Sequence, residues 1–212
     1  INVPNGMTKA DIDQSGKNLT GTIVQGHDPL VGSPRGVRNS EARIKQGGNG
    51  GDATILQGVN GGWSNLNDAR VDQNGNSTAE IRQGDGNKSG SVDNRARQTQ
   101  RGNGHEAKIL QGVNNGTGTL QVARENVARQ TQRAGNNSFA RIRQGVGSGS
   151  DADRNRARQL QRGFSHDARI DQGVGGEEVT DGRAVQEQFG NGHQATTTQT
   201  GSGPTATISQ SN

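Results

Sequence analysis

The chain has no cysteine and no tyrosine, one tryptophan, three phenylalanines, one methionine and four prolines. Without cysteine there is no disulfide framework, thiolate metal site or cysteine nucleophile. With 25% hydrophobic and 2% aromatic residues, the 212 residues cannot fill an ordinary globular core. Leu, Ile, Val and Phe together supply 34 residues, a share at which disorder is the default expectation. No stretch approaches the roughly 18 apolar residues of a membrane-spanning helix, so no membrane insertion is expected. Catalytic motifs are missing as well. There is no Gly-x-Ser-x-Gly elbow, phosphate loop or His-Glu-x-x-His pair, so the inventory predicts no enzyme and no cofactor. The chain opens at Ile1 rather than methionine, which reads as a mature form that has lost a targeting segment.

Two features argue against disorder. The formal net charge is only +4, because 24 basic residues face 20 acidic ones. The few apolar residues also recur at fixed spacing. One five-residue unit, Ala-x-(Ile/Val/Gln)-x-Gln, occurs fifteen times, with Gly21 replacing its alanine once and Thr197 its middle residue once. Its copies end at Gln14, Gln25, Gln46, Gln57, Gln73, Gln83, Gln100, Gln111, Gln132, Gln144, Gln161, Gln172, Gln188, Gln199 and Gln210. Short intervals of 10 to 12 residues alternate with intervals of 16 to 21 until the last, which is 11. Two strand classes therefore alternate, joined by a tight turn one way and a looser loop the other.

Within a unit the period is two. Ala42, Ile44 and Gln46 share one face while Arg43 and Lys45 take the other, the mark of a strand with one buried side. No such strand can bury anything alone. The expectation is an all-β solenoid with two strands per coil and about seven and a half coils. Each strand stacks parallel and in register on its equivalents at about 4.8 Å, as in amyloid. The domain would span residues 10–212, preceded by a segment 1–9.

The middle position of the second class reads Ile23, Ile55, Ile81, Ile109, Ile142, Ile170, then Thr197. The first class reads Ile12, Ile44, Val71, Gln98, Gln130, Gln159, Gln186 and Ile208. Four consecutive inward glutamines are costly unless paired, and in-register stacking lets each amide donate to the next.

The turns carry a further pattern. Ser40, Gln46, Gly48, Gly50, Ala53 and Gln57 fall at fixed places, with Gly51 between them. Asn94, Gln100, Gly102, Gly104, Ala107 and Gln111 repeat that spacing with His105. Gln188, Gly190, Gly192, Ala195 and Gln199 repeat it with His193, and Gln161, Gly163, Ala168 and Gln172 do so more weakly with His166. This resembles the curlin repeat, Ser-x5-Gln-x-Gly-x-Gly-Asn-x-Ala-x3-Gln, over roughly residues 8 to 210. The resemblance implies a two-sheet solenoid that forms a secreted, extracellular amyloid fibre in a biofilm matrix, with nucleator and secretion-pore proteins as partners. The chain departs from it in the longer loops Gly26 to Glu41 and Gly112 to Val127.

Function is then expected in self-assembly. Open solenoid ends at Ala10, Ile12 and Gln14, and at Ala206, Ile208 and Gln210, would recruit further copies of the chain. Ile1 and Val3, in the segment to Lys9, would help fill the incomplete last layer. The alternative is a monomeric or anchored adhesin that presents its loops to a surface, glycan or polyanion. Turn glycines such as Gly102 and Gly190 serve tight arcs. His166 and His193 fall on neighbouring coils, within reach of a metal, yet their column more simply satisfies turn backbone. Acidic loops at Asp85 to Asp93, Ser148 to Asp153 and Glu177 to Asp181 offer oxygen ligands for calcium, without the nine-residue period of calcium-binding rolls. Arg43, Arg70, Arg97, Arg129 and Arg158 stack outward, with Arg141 and Arg169 on the other class, as a basic stripe or a solvated face. Such a stripe would attract polyanions, extracellular DNA or acidic polysaccharide, without sequence specificity. Thr196, Thr197, Thr198, Thr205 and Thr207 form no row long enough for ice binding.

Overall fold

The computed structural model describes residues 9–26, 37–38, 40–59, 63–86, 89–113, 121–147 and 149–212. Among them are twenty-two strands and no helix, wound as a parallel β-solenoid. The segment expected to fill the last layer lies, but for Lys9, outside the described residues.

The first sheet has eight strands: Lys9–Lys17, Glu41–Asn49, Asp68–Asn74, Arg95–Asn103, Val127–Asn136, Arg156–Phe164, Arg183–Asn191 and Thr205–Ser211. The second has seven: Thr20–Gln25, Asp52–Gln57, Thr78–Gln83, Glu106–Val113, Phe139–Val146, Asp167–Val174 and Gln194–Gln199. Every Ala-x-x-x-Gln unit lies on one of these two sheets. Register is strict, with Ala opposite Ala, save Gly21 opposite Ala53, and Gln opposite Gln from coil to coil. Alternation puts Ala42, Ile44 and Gln46 inside, all within 1% of full burial, because a one-residue slip would turn the whole inward set to solvent.

The coil has three strands, not two. The looser loops carry a third sheet of seven short strands: Val37–Arg38, Trp63–Asn65, Ser89–Val92, Gln121–Arg124, Asp151–Asp153, Glu178–Thr180 and Gly201–Ser202. A loop lying over the core must pair its own backbone groups, and stacking on the coil above does so. Small inward residues, Ser91, Ala123, Ala152 and Val179, let this sheet lie close to the core at 0–2% exposure.

What returns the chain from the third sheet to the first is a buried asparagine ladder. Asn94 Nδ2 donates to the Ala123 carbonyl at 2.6 Å, and Asn126 N donates to Asn94 Oδ1 at 2.8 Å. Asn126 and Asn155 repeat both bonds one coil on. The residue before each asparagine, Leu66, Asp93, Glu125 or Arg154, turns the corner at φ near +50°. On the opposite arc, glycine is required by close approach. A Cβ on Gly163 (φ +129°) would overlap the Gly190 carbonyl oxygen, as one on Gly135 would overlap that of Gly163.

Candidate functional site

Three glutamine ladders run through the core. On the first sheet, Gln14 Nε2 donates to Gln46 Oε1 at 2.6 Å, and the chain continues through Gln73, Gln100, Gln132, Gln161 and Gln188 to Gln210 at 2.7–3.1 Å. On the second sheet, Gln25, Gln57, Gln83, Gln111, Gln144, Gln172 and Gln199 form the same chain at 2.6–2.8 Å. Each amide has a fixed orientation. Gln100, for example, gives its other proton to the Thr78 carbonyl at 3.0 Å, and a carbonyl cannot donate in return. All donors therefore point from each coil to the next, toward the carboxyl end of the chain.

The third ladder links Gln98, Gln130, Gln159 and Gln186 at 3.0–3.1 Å. Their second protons cross the core to carbonyls of the second sheet at Glu80, Lys108, Arg141 and Arg169. Its two ends differ. Gln186 Nε2 reaches Thr197 Oγ1 at 2.8 Å, which accounts for the threonine that ends the column of Ile55, Ile81, Ile109, Ile142 and Ile170. Gln98 Oε1 is buried with no partner, because its register neighbour is Val71.

Among the described residues, Lys9–Lys17 and Thr205–Ser211 are the edge strands of the first sheet, each paired on one side. Lys9–Lys17 is exposed along its whole length, Ala10 and Gln14 included, and Ile12 is 45% exposed where its equivalent Ile44 is 0%. At the other end Ala206, Ile208 and Gln210 are half-buried on Thr205–Ser211. Among the described residues, Gln14 Oε1 has no donor and Gln210 Nε2 has no acceptor.

The histidine column serves the turn backbone. His193 N donates to His166 Nδ1 at 3.3 Å, while His166 Nε2 faces the Arg162 carbonyl at 3.2 Å. That pattern fixes a neutral ring with the proton on Nε2. The rings of His166 and His193 stack at 5.4 Å and 2°. Burial pushes both His105 and His166 below the ordinary imidazole range. The acidic segments are committed too. Parts of all three are third-sheet strands, not free loops. Asp151 Oδ1 accepts from Val122 N at 2.8 Å, Arg154 pairs with Asp153 and Asp181, and Asp85 pairs with Arg82. Among the described residues, no group of three or more His, Asp or Glu is arranged to hold a metal.

The two outer faces differ in charge. On the second sheet Glu80 sits between Lys108 and Arg82, Arg143 is forked onto Asp171, and Arg169 pairs with Asp167. On the first sheet, register stacks Arg43, Arg70, Arg97, Arg129 and Arg158 in one outward column. A second column holds Arg95, Arg156 and Arg183, interrupted by Val127, and a third holds Arg101, Arg133 and Arg162. Of the arginines in these three columns from Arg95 to Arg183, only Arg158 has an ion pair among the described residues, to Glu187 at 3.5 Å. The sequence pointed to the first column. The second and third were missed, although their in-phase positions one before and five after the alanine were legible.

Comparison with family models and with curated proteins finds no match.

Proposed function

We propose that this chain is the structural subunit of a secreted, extracellular, amyloid-like fibre, growing by end-to-end stacking of solenoids on further copies of itself. The observation that carries this reading is the pair of open, complementary edge strands of the first sheet among the described residues. Exposed edge strands with unpaired N–H and C=O groups are templates for another strand. The ladder adds direction: the amino end offers the acceptor Gln14 Oε1 and the carboxyl end the donor Gln210 Nε2. A head-to-head contact would set acceptor against acceptor. Head-to-tail contact is heterologous and does not close, so it yields an open polar filament.

The curlin-like spacing of Ser40, Gln46, Gly48, Gly50, Ala53 and Gln57 supports the same reading. It extends the proposal to a biofilm-matrix location and to nucleator and secretion-pore partners. The third sheet is where this chain goes beyond the two-sheet coil which that resemblance implies.

Negative-stain electron microscopy and fibre diffraction of protein diluted from denaturant test it. Unbranched filaments with a meridional spacing near 4.8 Å are expected. Ile208→Pro, which removes a ladder donor and disfavours strand geometry, should stop elongation while leaving the inner coils folded. A parent chain that stays monomeric with β-type circular dichroism would overturn the proposal in favour of an adhesin.

A further inference from the structure

The arginine face of the first sheet has no part in end-to-end stacking. Two cavities follow one another along it. One of about 220 Å³ is lined by Asp68, Arg70, Arg95, Arg97 and Arg129 over Ala96, Val127 and Ala128. The next, of about 260 Å³, is lined by Arg129, Arg156, Arg158 and Arg183 over Val127, Ala157, Ala184 and Val185. They share Val127 and Arg129, so together they form one furrow running across the strands, parallel to the solenoid axis. Four coil steps from Asp68 to Arg183 give it a length of roughly 19 Å. Guanidinium groups stand on both banks, interrupted by Val127 on one and by Val185 on the other, and the floor between them is the backbone of the inward-facing alanines.

We propose that this furrow binds an acidic polysaccharide of the polyuronate class, its sugar rings seated over Val127 and its carboxylates held by the arginines on either bank. Like charges directly opposite on neighbouring strands are destabilising. The second sheet relieves that cost with interleaved acids, whereas along the furrow the first-sheet arginines have one ion pair among the described residues, Arg158 to Glu187. A ligand with one carboxylate per sugar supplies the missing charge at intervals close to one coil step. Every cation along the furrow is arginine, whose planar fork matches a carboxylate with two parallel bonds where lysine offers a point charge.

Val127 decides between polyanions. It stands where the Arg95, Arg156 and Arg183 column would continue and is 37% exposed. That leaves an apolar notch suited to the C–H face of a sugar ring. A DNA duplex gains from phosphate neutralisation wherever arginine is dense and gains nothing from the notch. No aromatic ring lines the furrow to stack an unpaired base.

The furrow lies within one chain, so the inference does not rest on fibre assembly. The test is fluorescence anisotropy of labelled oligogalacturonate, and of a DNA duplex of matched charge, on the full chain, with filament mass recorded in the same samples. The triple variant Arg97→Gln, Arg129→Gln, Arg158→Gln should weaken oligogalacturonate binding by at least about tenfold, through loss of charge-assisted bonds. Val127→Arg restores the column on an exposed position. It should weaken oligogalacturonate binding and strengthen DNA binding, and it keeps the test standing if the triple variant does not fold. Arg141→Gln on the second sheet should change neither. Tighter binding of both ligands by Val127→Arg would overturn the proposal and mark a generic basic surface, as would unchanged affinity in the triple variant.

Discussion

The two main sheets use the same five-residue unit and differ in what they do with it. The second sheet is apolar at the middle inward position of its unit, where Ile55, Ile81, Ile109, Ile142 and Ile170 stack at 0% exposure, and its outer charges neutralise one another. The first sheet, from Arg95 to Asn191, is polar inside and basic outside. The isoleucine column holds by burial alone and tolerates change one residue at a time. The glutamine column is satisfied only as a whole: Gln130 and Gln159 are each donor to one coil, acceptor from another, and clamp across the core to the second sheet. Where the polar column lies, the two sheets are joined by directional bonds rather than by packing only.

The largest effect should come from breaking that column in its middle. Gln130→Leu leaves Gln98 Nε2 without its acceptor and Gln159 Oε1 without its donor. Each buried orphan costs about 1–3 kcal/mol, so the variant should lose several times what Ile142→Val loses, about 0.5–1.5 kcal/mol. Replacing Gln98, Gln130, Gln159 and Gln186 together by isoleucine should cost less than Gln130→Leu alone, since both partners of every glutamine–glutamine bond go and no side-chain amide is left buried without a partner. Denaturant unfolding of freshly diluted protein measures all three. Equal losses for Gln130→Leu and Ile142→Val would show that the ladder contributes no more than packing.

A smaller effect separates the outer faces by pH. Burial alone would raise the Glu80 carboxyl; Lys108 and Arg82 outweigh it and hold the group below its ordinary 4.5. A depressed carboxyl contributes stability that is present above its unfolded value and lost as pH falls through its folded value. Stability should therefore decline below pH 4.5, with part of that limb removed by Glu80→Gln. Arg97→Gln on the first sheet should leave the limb intact. Acid titration of the unfolding midpoint checks this. An unchanged limb in Glu80→Gln would deny the second face its charge balance.

Much of this was legible in the sequence because the unit is short and strictly phased. Ala42, Ile44 and Gln46 announce a half-buried strand, and fifteen copies place two sheets and their register. The third sheet was not legible. Its strands are two to four residues long, too short to show a period, and none ends in the unit's glutamine. The signal that would have found it is the column Asn67, Asn94, Asn126 and Asn155, two residues before the first-sheet alanine, where a buried amide is needed to turn a corner. The direction of the ladders was equally hidden, since it depends on carbonyls such as Thr78 that face the amides across the core.

The smallest predicted effect concerns the one unfinished bond of the polar column. At its far end the isoleucine column gives way to Thr197, whose hydroxyl accepts the Gln186 proton. At its near end Val71 offers nothing to Gln98 Oε1. Val71→Thr supplies a hydroxyl donor in nearly the same volume at the mirrored position. The hydroxyl must leave water to reach that site, and one satisfied hydrogen bond returns about 1 kcal/mol net. The unfolding midpoint should rise by the corresponding amount, and the gain should vanish in a Gln98→Leu background, where the acceptor is gone. A destabilised Val71→Thr would mean that Gln98 Oε1 is already served by water, and that the boundary between the apolar and polar halves of the first sheet needs no cap.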